Sequence, residues 1–260
     1  MELQNVLYDV KDKIATVTVN RVKVLNALND QTMEELKTIF LDIRHRQDAL
    51  AAILTGAGDK AFIAGADINE LATQTPLEGK DRSRRGHHIL EIIEHLGKPV
   101  LAAINGFALG GGCEIAMACT LRFAAETGRL GQPEVKLGLM AGYGGTQRLT
   151  RLVGLGRALE LLLSGEHITA QRAYEIGLVN RIVPAPDLIK ESEGFLQKVI
   201  ANGPIALKLT MEAANRGIQM TLAEGLNLEA NLFGLICTTE DMKEGTRAFL
   251  EKRPANFKNR

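Results

Sequence analysis

The run INGFALGGGCEIAMAC, residues 104–119, restricts the fold of this chain more than any other stretch. It is almost wholly apolar, yet it carries one acid, Glu114, shortly after three consecutive glycines. An ionised carboxylate buried without a partner is so unfavourable that it normally takes up a proton. A glycine turn that leads into a helix, however, presents unpaired N–H groups and the positive end of the helix dipole. The run therefore predicts a buried turn and helix that place a carboxyl group beside backbone donors.

The overall composition is that of a globular chain with balanced charge. Of the 260 residues, 45% are hydrophobic, and 31 lysines and arginines balance 31 aspartates and glutamates. A chain of this length can bury a large core as one domain, or as one domain with an appendage. The formal net charge of +0 leaves no basic patch for nucleic acid and no polybasic segment for a membrane surface. We therefore expect a small-molecule partner, no nucleic acid and no membrane.

The cysteines and the N-terminal segment favour a cytoplasmic protein. Cys113, Cys119 and Cys237 are an odd number at unrelated spacings, and they form no C-x-x-C pair for zinc or redox chemistry. Residues 1–20 mix charges with alternating apolar side chains and lack the apolar segment of a signal peptide. No run reaches the roughly 18 uninterrupted apolar residues that cross a membrane. We expect reduced thiols in the cytoplasm.

Strand patterns and helix patterns alternate up to about residue 187. In chain order these are a strand at 13–20, a helix at 30–46, a strand at 51–56, a helix at 84–96 and a strand at 100–106. Asp30 is the expected N-cap of the first of these helices. Beyond residue 187 the strands cease, and helices are predicted at 188–201, 204–216 and 221–249. The sequence therefore predicts an α/β domain over 1–187 and a helical region over 188–260.

Three local patterns suggest other chemistries, but each is weak. GAGDKAF, residues 56–62, follows a strand but lacks the third glycine and the immediate helix of a dinucleotide-binding loop. His88, Glu91 and His95 share one helical face, which a solvated amphipathic helix explains better than a metal site. GYGGTQRLTRLVG, residues 142–154, is rich in glycine but has no Walker pattern, so it does not by itself predict a phosphate cradle. We expect no metal.

Small residues crowd around polar groups in three separate segments, residues 61–68, 108–116 and 130–149. Glycine and alanine allow a ligand to approach backbone N–H groups closely. Two such turns together make an oxyanion hole for a carbonyl substrate, beside which Glu114 and Glu134 can move protons. Each segment alone is explained as readily by tight packing or by a capping acid. The three segments in combination favour catalysis.

The ordered segments resemble the enoyl-CoA hydratase (crotonase) family nearly from end to end. They are NRVKVLNAL, GAGDKAFIAGADINEL, KPVLAAINGFALGGGCEIAMAC, GQPEVKLGLMAGYGGTQRL, ITAQRAYEIGLVNRIVP and EGTRAFLEKRPANFK. The resemblance implies a crotonase-like spiral of ββα turns over 1–187. It also implies that the helices of 188–260 drive assembly into a homotrimer, often with two trimers stacked into a hexamer.

The resemblance also implies roles for individual residues. The backbone N–H groups of Ala64 and Gly111 match those that hold the thioester oxygen. Glu114 and Glu134 match the acids that bracket the double bond and a water molecule. The amide of Gly142 matches the group that helps to place that water.

The same resemblance implies how CoA is held. Lys23 and Val24 would border its nucleotide end, and the backbone of Ala64, Gly65, Ala66 and Asp67 would run along the pantetheine. Asp67 is more simply explained as the cap of the next helix than as a catalyst. Because the CoA thioester is itself the substrate, no separate cofactor is implied.

The implied activity is the reversible hydration of a trans-2-enoyl-CoA to a 3-hydroxyacyl-CoA in fatty-acid or related acyl-CoA metabolism. Glu114 would act mainly on the water and Glu134 mainly on the α-carbon proton. An enoyl-CoA isomerase, another crotonase-family acyl-CoA lyase, and a catalytically silent relative that binds CoA esters or RNA remain as alternatives. Val22, Thr120 and Ala141 stand where many members have proline, aspartate and proline, and the last change removes a restraint on the loop of Gly142.

Overall fold

A computed structural model describes residues 3–260, which form ten β-strands and eleven α-helices. The strands are β1 (Val6–Lys11), β2 (Ile14–Val19), β3 (Ala51–Gly56), β4 (Ala61–Ile63), β5 (Val100–Ile104), β6 (Phe107–Leu109), β7 (Leu121–Ala125), β8 (Arg129–Gly131), β9 (His167–Thr169) and β10 (Arg181–Val183). The helices are α1 (Asp30–His45), α2 (Ile68–Leu71), α3 (Pro76–Glu94), α4 (Gly111–Ala118), α5 (Gly145–Val153), α6 (Leu155–Ser164), α7 (Ala170–Glu175), α8 (Leu188–Ile200), α9 (Pro204–Gly217), α10 (Leu222–Ile236) and α11 (Glu240–Leu250). Short 3₁₀ helices cover Val22–Val24, Pro133–Leu137 and Ala185–Asp187.

The chain divides into two compact units. The first comprises the chain up to Leu96 together with Val100–Glu193, and the second comprises Gly97–Pro99 and Gly194–Arg260. The division falls inside helix α8, whereas the boundary expected from the sequence lies where that helix begins.

The first unit contains two sheets, and from β3 to β8 successive strands along the chain belong alternately to the larger and to the smaller sheet. The larger sheet has the order β1-β2-β3-β5-β7-β10 and is parallel except for the β1–β2 pair. The smaller sheet has the order β4-β6-β8-β9, with only β8 and β9 antiparallel. The chain contributes β3, β5 and β7 to the larger sheet, and each is followed by a strand of the smaller one. This alternation is the spiral of ββα turns that the family resemblance implies.

The core lies against the central strands of the larger sheet. Every residue of β3 and of β5 is buried, as expected for parallel strands that are covered on both faces. The apolar face of helix α1, which includes Leu36, Phe40 and Ile43, packs into the same hydrophobic core. The β-branched and aliphatic runs of the sequence therefore form the sheet that supports the site.

Two helix boundaries in the first unit differ from the prediction. The N-cap of α1 is Asn29, whose side chain accepts the Thr32 N–H at 2.9 Å, so the prediction of Asp30 was wrong by one position. Helix α3 begins at Pro76, well before the expected residue 84, because Thr75 and Glu78 form a capping box ahead of it. This earlier start extends α3 along one wall of the cavity described below.

The helices of the second unit also differ from the prediction at one point. The stretch 221–249 is two helices, α10 and α11, separated at residues 237–239. The Thr239 side chain accepts the Met242 N–H at 3.1 Å and so begins α11 as a separate helix. Helices α9 and α10 border an apolar groove of about 510 Å³. Within residues 3–260 no helix combines the length and the apolar character needed to cross a membrane.

Candidate active site

Two parallel strands bring the predicted turns side by side. In the smaller sheet β4 pairs with β6, with Ile63 opposite Ala108, so the segments that follow these strands leave the sheet together. A Cβ atom built on Gly65 would lie 3.5 Å from the Leu109 carbonyl oxygen. The sheet register thus joins two turns that lie more than forty residues apart in the sequence, at Ala64 and at Gly110.

The three consecutive glycines meet different neighbours. Gly110 has φ +49°, and a Cβ there would lie 2.9 Å from Oε1 of Glu134. Gly112 is packed onto the backbone of Ile63, where a Cβ would clash with the carbonyl oxygen. Gly111 begins helix α4, and its N–H has no acceptor within the described residues 3–260. The triplet therefore combines a turn, a free donor and a close packing contact.

Glu114 lies in the first turn of α4 and is only 2% exposed. Its Oε1 accepts the backbone N–H groups of Tyr143 and Gly145, both at 2.7 Å. Burial raises the pKa of Glu114 to about 7, the charge of Glu134 adds to the rise, and the two backbone donors oppose it. A carboxyl group with this pKa can both take up and release a proton near neutral pH.

Glu134 lies beside the same glycine turn but comes from a different segment of the chain. It lies in the 3₁₀ helix that follows β8, and β8 pairs with β6 so that Gly131 is opposite Leu109. The carboxyl group is half-buried, and burial raises its pKa. The buried side-chain amide of Gln132, oriented so that both groups are satisfied, donates to the Glu134 oxygens at 3.0 and 3.2 Å. Two acids with raised pKa values therefore lie at the Gly110–Gly111 turn.

Both acids open into one cavity of about 570 Å³. Its wall combines the glycine and alanine turns with apolar side chains and with part of helix α3. The lining residues are Ala64, Gly65, Ala66, Ile68, Leu71, Gln74, Gly79, Arg82, Ser83, Gly110, Gly111, Glu114, Pro133, Glu134, Leu137, Leu139, Met140, Ala141, Gly142 and Tyr143. The fold thus gathers Glu114, Glu134, Gly111 and Gly142 around a space that can hold a small organic group.

The backbone N–H of Ala64, which the resemblance pairs with Gly111, already has an acceptor. It donates to the Leu25 carbonyl oxygen at 3.1 Å. The expected donor is therefore engaged within the protein, because the segment after the Val22–Val24 3₁₀ helix lies alongside residue 64.

At Ala66, two residues after Ala64, the backbone N–H is not engaged in the same way. Leu28 forms a parallel bridge with Ala66, in which the Leu28 N–H donates to Gly65 at 2.8 Å and the Asp67 N–H donates to Leu28 at 2.7 Å. Both bonds use neighbours of Ala66, so its own N–H is directed away from Leu28. That N–H has no acceptor in the part of the chain that the structure describes, and Ala66 lines the cavity.

The other residues expected near CoA lie outside this wall. Lys23 and Val24 are exposed in their 3₁₀ helix and are not part of the cavity lining, and their contact with CoA stays a prediction. Asp67 caps helix α2 through the Asn69 N–H at 3.3 Å and pairs with Arg21 at 3.2 Å. Its structural role agrees with the expectation of a cap.

Other candidate chemistries find little support in the side-chain arrangement. Among residues 3–260, no group of three or more histidines, cysteines, aspartates or glutamates is arranged to hold a metal ion. The ring of His95 contacts the Glu91 carbonyl oxygen at 3.2 Å within its own helix. Burial raises the pKa of the Cys113 thiol, next to Glu114, to about 12, so this thiol stays protonated and is not a nucleophile.

One family profile, described as enoyl-CoA hydratase/isomerase, matches residues 9–260. The chain belongs to the enoyl-CoA hydratase/isomerase family. It is 47% identical to the short-chain-enoyl-CoA hydratase of Clostridium acetobutylicum, with all of both chains covered. It is 43% identical to the crotonyl-CoA hydratase of Syntrophomonas wolfei, with 99% of each covered. The crystal structure of enoyl-CoA hydratase from Bacillus anthracis superposes with a TM-score of 0.95 at 41% identity, covering 99% of this chain and 100% of that chain. The predicted crotonase fold is confirmed.

In this member of the enoyl-CoA hydratase/isomerase family, sequence reasoning missed several groups of the site. The N–H groups of Tyr143 and Gly145 hold Glu114, and the amide of Gln132 holds Glu134. Only the glycines of GYGG hinted at a loop with accessible N–H groups. The sequence contains no sign that Gln132 is buried, since that depends on where β8 lies in its sheet.

Proposed function

We propose that this chain catalyses the reversible hydration of a trans-2-enoyl-CoA to a 3-hydroxyacyl-CoA. The observation that carries the proposal is the pair of acids with raised pKa values, buried Glu114 and half-buried Glu134, at one glycine turn in one cavity. Water addition needs a base for the water and an acid for the α-carbon, and an isomerisation needs only one such group. The short-chain and crotonyl-CoA hydratases named above support the same reaction.

The thioester oxygen is held by two backbone donors. Gly111 supplies one, because its N–H is free at the start of α4. For the second donor we favour Ala66 over Ala64, since the Ala64 N–H donates to Leu25 whereas the Ala66 N–H is directed away from its bridge partner. These donors stabilise the enolate-like charge that develops on the oxygen when water adds at the β-carbon.

The two acids divide the proton transfers. Glu114, fixed by two N–H donors, takes a proton from the attacking water, and Glu134 delivers one to the α-carbon. The amide of Gly142 helps to place the water. Two neighbouring carboxyls titrate as a coupled pair, so one is protonated while the other is ionised near neutral pH. Dehydration uses the same groups with the roles exchanged.

The CoA moiety is proposed to lie along the backbone of Gly65 and Asp67, with Lys23 and Val24 near its nucleotide end. Addition of water to the enoyl-CoA involves no net oxidation or reduction, so no redox cofactor is required, and the proposed mechanism uses the two acids and the backbone donors without a metal. We place the reaction in the cytoplasm, in fatty-acid or related acyl-CoA metabolism.

Loss of the enoyl-thioester absorbance on addition of the purified chain tests the proposed reaction. Crotonyl-CoA and longer trans-2-enoyl-CoA thioesters form the substrate series, and chromatography identifies the 3-hydroxyacyl-CoA product. Conversion of a 3-enoyl-CoA faster than hydration of any 2-enoyl-CoA would assign an isomerase instead. Binding of acyl-CoA without turnover of either would assign a silent relative.

We further propose that the second unit assembles the chain into a homotrimer, or into a hexamer of two trimers. Its apolar groove is flanked by exposed side chains, among them Leu222 at 79%, Phe233 at 69% and Leu226 at 55% exposure. A contiguous apolar surface of this kind is unfavourable in water unless another chain covers it. Light scattering at micromolar concentration tests the proposal, and a stable monomer would contradict it.

A further inference from the structure

Helix α3 meets the loop that follows Ala141 through a hydrogen bond from the Ser83 hydroxyl group and through the packing of the Tyr143 ring on Gly86. Ser83 lies on α3, is half-buried and lines the cavity. Its Oγ–H donates to the Gly142 carbonyl oxygen at 2.6 Å, across 59 residues of sequence. No part of the proposed reaction uses this group.

The carbonyl that Ser83 holds belongs to the same peptide unit as a donor to Glu114. The peptide between Gly142 and Tyr143 carries the Gly142 oxygen on one side and the Tyr143 N–H on the other, and that N–H donates to Glu114 at 2.7 Å. A peptide unit is planar and stiff, so holding its oxygen also fixes the direction of its N–H. Hydrogen bonds in such a series also polarise and strengthen one another.

We infer that Ser83 is a positioning residue, which orients the Gly142–Tyr143 peptide so that its N–H holds the Glu114 carboxylate in place for proton transfer. The inference rests on the proposed hydratase function and assigns a residue of helix α3 to the same site. Ser83 acts through the peptide and needs no contact with the reacting atoms.

The loop requires such a restraint for two reasons. Ala141 precedes Gly142, so no proline ring limits the backbone there, and Gly144 follows with φ +101°. The next carbonyl, that of Tyr143, is held independently by Nη1 of Arg148 at 3.1 Å. Arg148 therefore restrains the peptide after Tyr143, and Ser83 restrains the peptide before it.

Ser83→Ala and Ser83→Thr test the inference, because the second variant keeps the hydroxyl. We expect Ser83→Ala to lower kcat about tenfold, as for loss of one oriented hydrogen bond, with KM within about twofold of wild type. Ser83→Thr should restore most of kcat. Thr150→Ala is the matched control, since it removes a half-buried hydroxyl on α5 that bonds only within its own helix, and it should behave as wild type.

A second measurement does not depend on turnover. Infrared difference spectra against Glu114→Gln isolate the Glu114 carboxyl from the other titratable and charged groups around it and around the Ser83 bond. These are Glu134, Cys113, Tyr143, Arg82, Arg148 and His87, whose ring lies 3.4 Å from Oγ. We expect the pKa of Glu114 to rise in Ser83→Ala and to return in Ser83→Thr, because a less well oriented N–H stabilises the carboxylate less.

The inference is overturned if Ser83→Ala leaves both kcat and the Glu114 pKa unchanged, or if alanine and threonine have equal effects. A rise in KM with unchanged kcat would also overturn it, since Ser83 would then act on substrate binding. The hydratase proposal fails separately, through an inactive wild-type chain, and in that event the infrared titration still decides the role of Ser83.

Discussion

Glu114 and Glu134 place the same kind of side chain in the same cavity, but they differ in burial and in the hydrogen-bond donors that hold them. Glu114 is 2% exposed and has two backbone N–H donors on one oxygen. Glu134 is half-buried and is held by the amide of Gln132. Backbone donors at fixed positions hold a carboxylate more firmly than a side chain that has its own rotamers. The site therefore pairs a rigid acid with a more adaptable one.

The neighbours of Glu134 explain its adaptability. Leu137, Leu139 and Met140 follow it along the chain, line the cavity, and are 59%, 45% and 68% exposed. A bound acyl chain would cover these side chains and remove water from Glu134. The comparison shows that the protein itself encloses Glu114, whereas Glu134 is left partly open to the cavity.

The largest expected effects come from removing each acid in turn. Glu114→Gln and Glu134→Gln keep the size of the side chain but cannot exchange the proton. Each should lower the rate of hydration by about 10² to 10⁴. Because the acids act as a unit, the double variant should lose much less than the product of the two single losses. Steady-state rates with one trans-2-enoyl-CoA measure all three.

Binding of a saturated acyl-CoA serves as the control for these variants. Calorimetry should show similar affinity in all three, since the substitutions leave the proposed backbone donors to the thioester oxygen unchanged. If one glutamate proved nearly dispensable while a 3-enoyl-CoA was converted well, the isomerase alternative would replace the hydratase proposal.

Gly111→Pro should have the next largest effect. It removes the free N–H at the first position of α4, a position that accepts proline in helices. Loss of one oxyanion donor should reduce kcat by about 10² to 10³ while CoA binding weakens much less. Circular dichroism checks the fold, and normal turnover by a folded variant would remove Gly111 from the mechanism.

The burial of the two acids should also appear in the pH dependence of stability. The pKa of Glu114 is raised from 4.5 to about 7 in the folded chain, which therefore binds this proton more tightly than the unfolded chain does. The wild type loses the resulting stability as pH rises from about 4.5 to about 7. Above pH 7, Glu114→Gln should be more stable than wild type by at most about 3 kcal/mol, and the difference should vanish below pH 4.5.

Chemical denaturation at several pH values measures this difference. Glu134→Gln should show the same sign with a smaller gain, because Glu134 is half-buried. Equal gains from the two substitutions would contradict the comparison between an enclosed and a partly open acid.

The smallest effect is expected from Ala141→Pro. Proline at this position would restrain the loop, but Ser83 and Arg148 already hold the two following carbonyls. We therefore expect kcat to change by less than about twofold, as for a loop that is already ordered. A large gain in rate would show instead that the loop is loose in the wild type.

Much of this architecture could be predicted from local sequence patterns. The strands near 13–20, 51–56 and 100–106 are present because β-branched and aliphatic runs favour buried parallel strands. The boundaries of α1 and α3 were predicted less well, since competing caps lie only a few residues apart. The break between α10 and α11 was missed because Thr239 within an apolar helical pattern gives no strong stop signal.

The candidate site likewise has a part that could be predicted from the sequence and a part that could not. Glu114 and Glu134 could be singled out from the sequence, because an acid among glycines in an apolar run needs a chemical reason. The partners of these acids could not. Gln132 and Ser83 are ordinary polar residues in the sequence, and only the pairing of β8 with β6 and the packing of α3 bring them to the site.

Side-chain chemistry and local periodicity were enough to predict the alternation of strands and helices and to single out the two acids. Which backbone N–H groups remain without an acceptor in residues 3–260 depends instead on the tertiary structure. Ala64 and Ala66 lie in the same small-residue turn, yet Leu25 accepts from the first, and the bridge of Leu28 directs the second away. A backbone N–H can bind a ligand only when no carbonyl of the protein accepts from it, and long-range packing decides which carbonyls lie within hydrogen-bond reach.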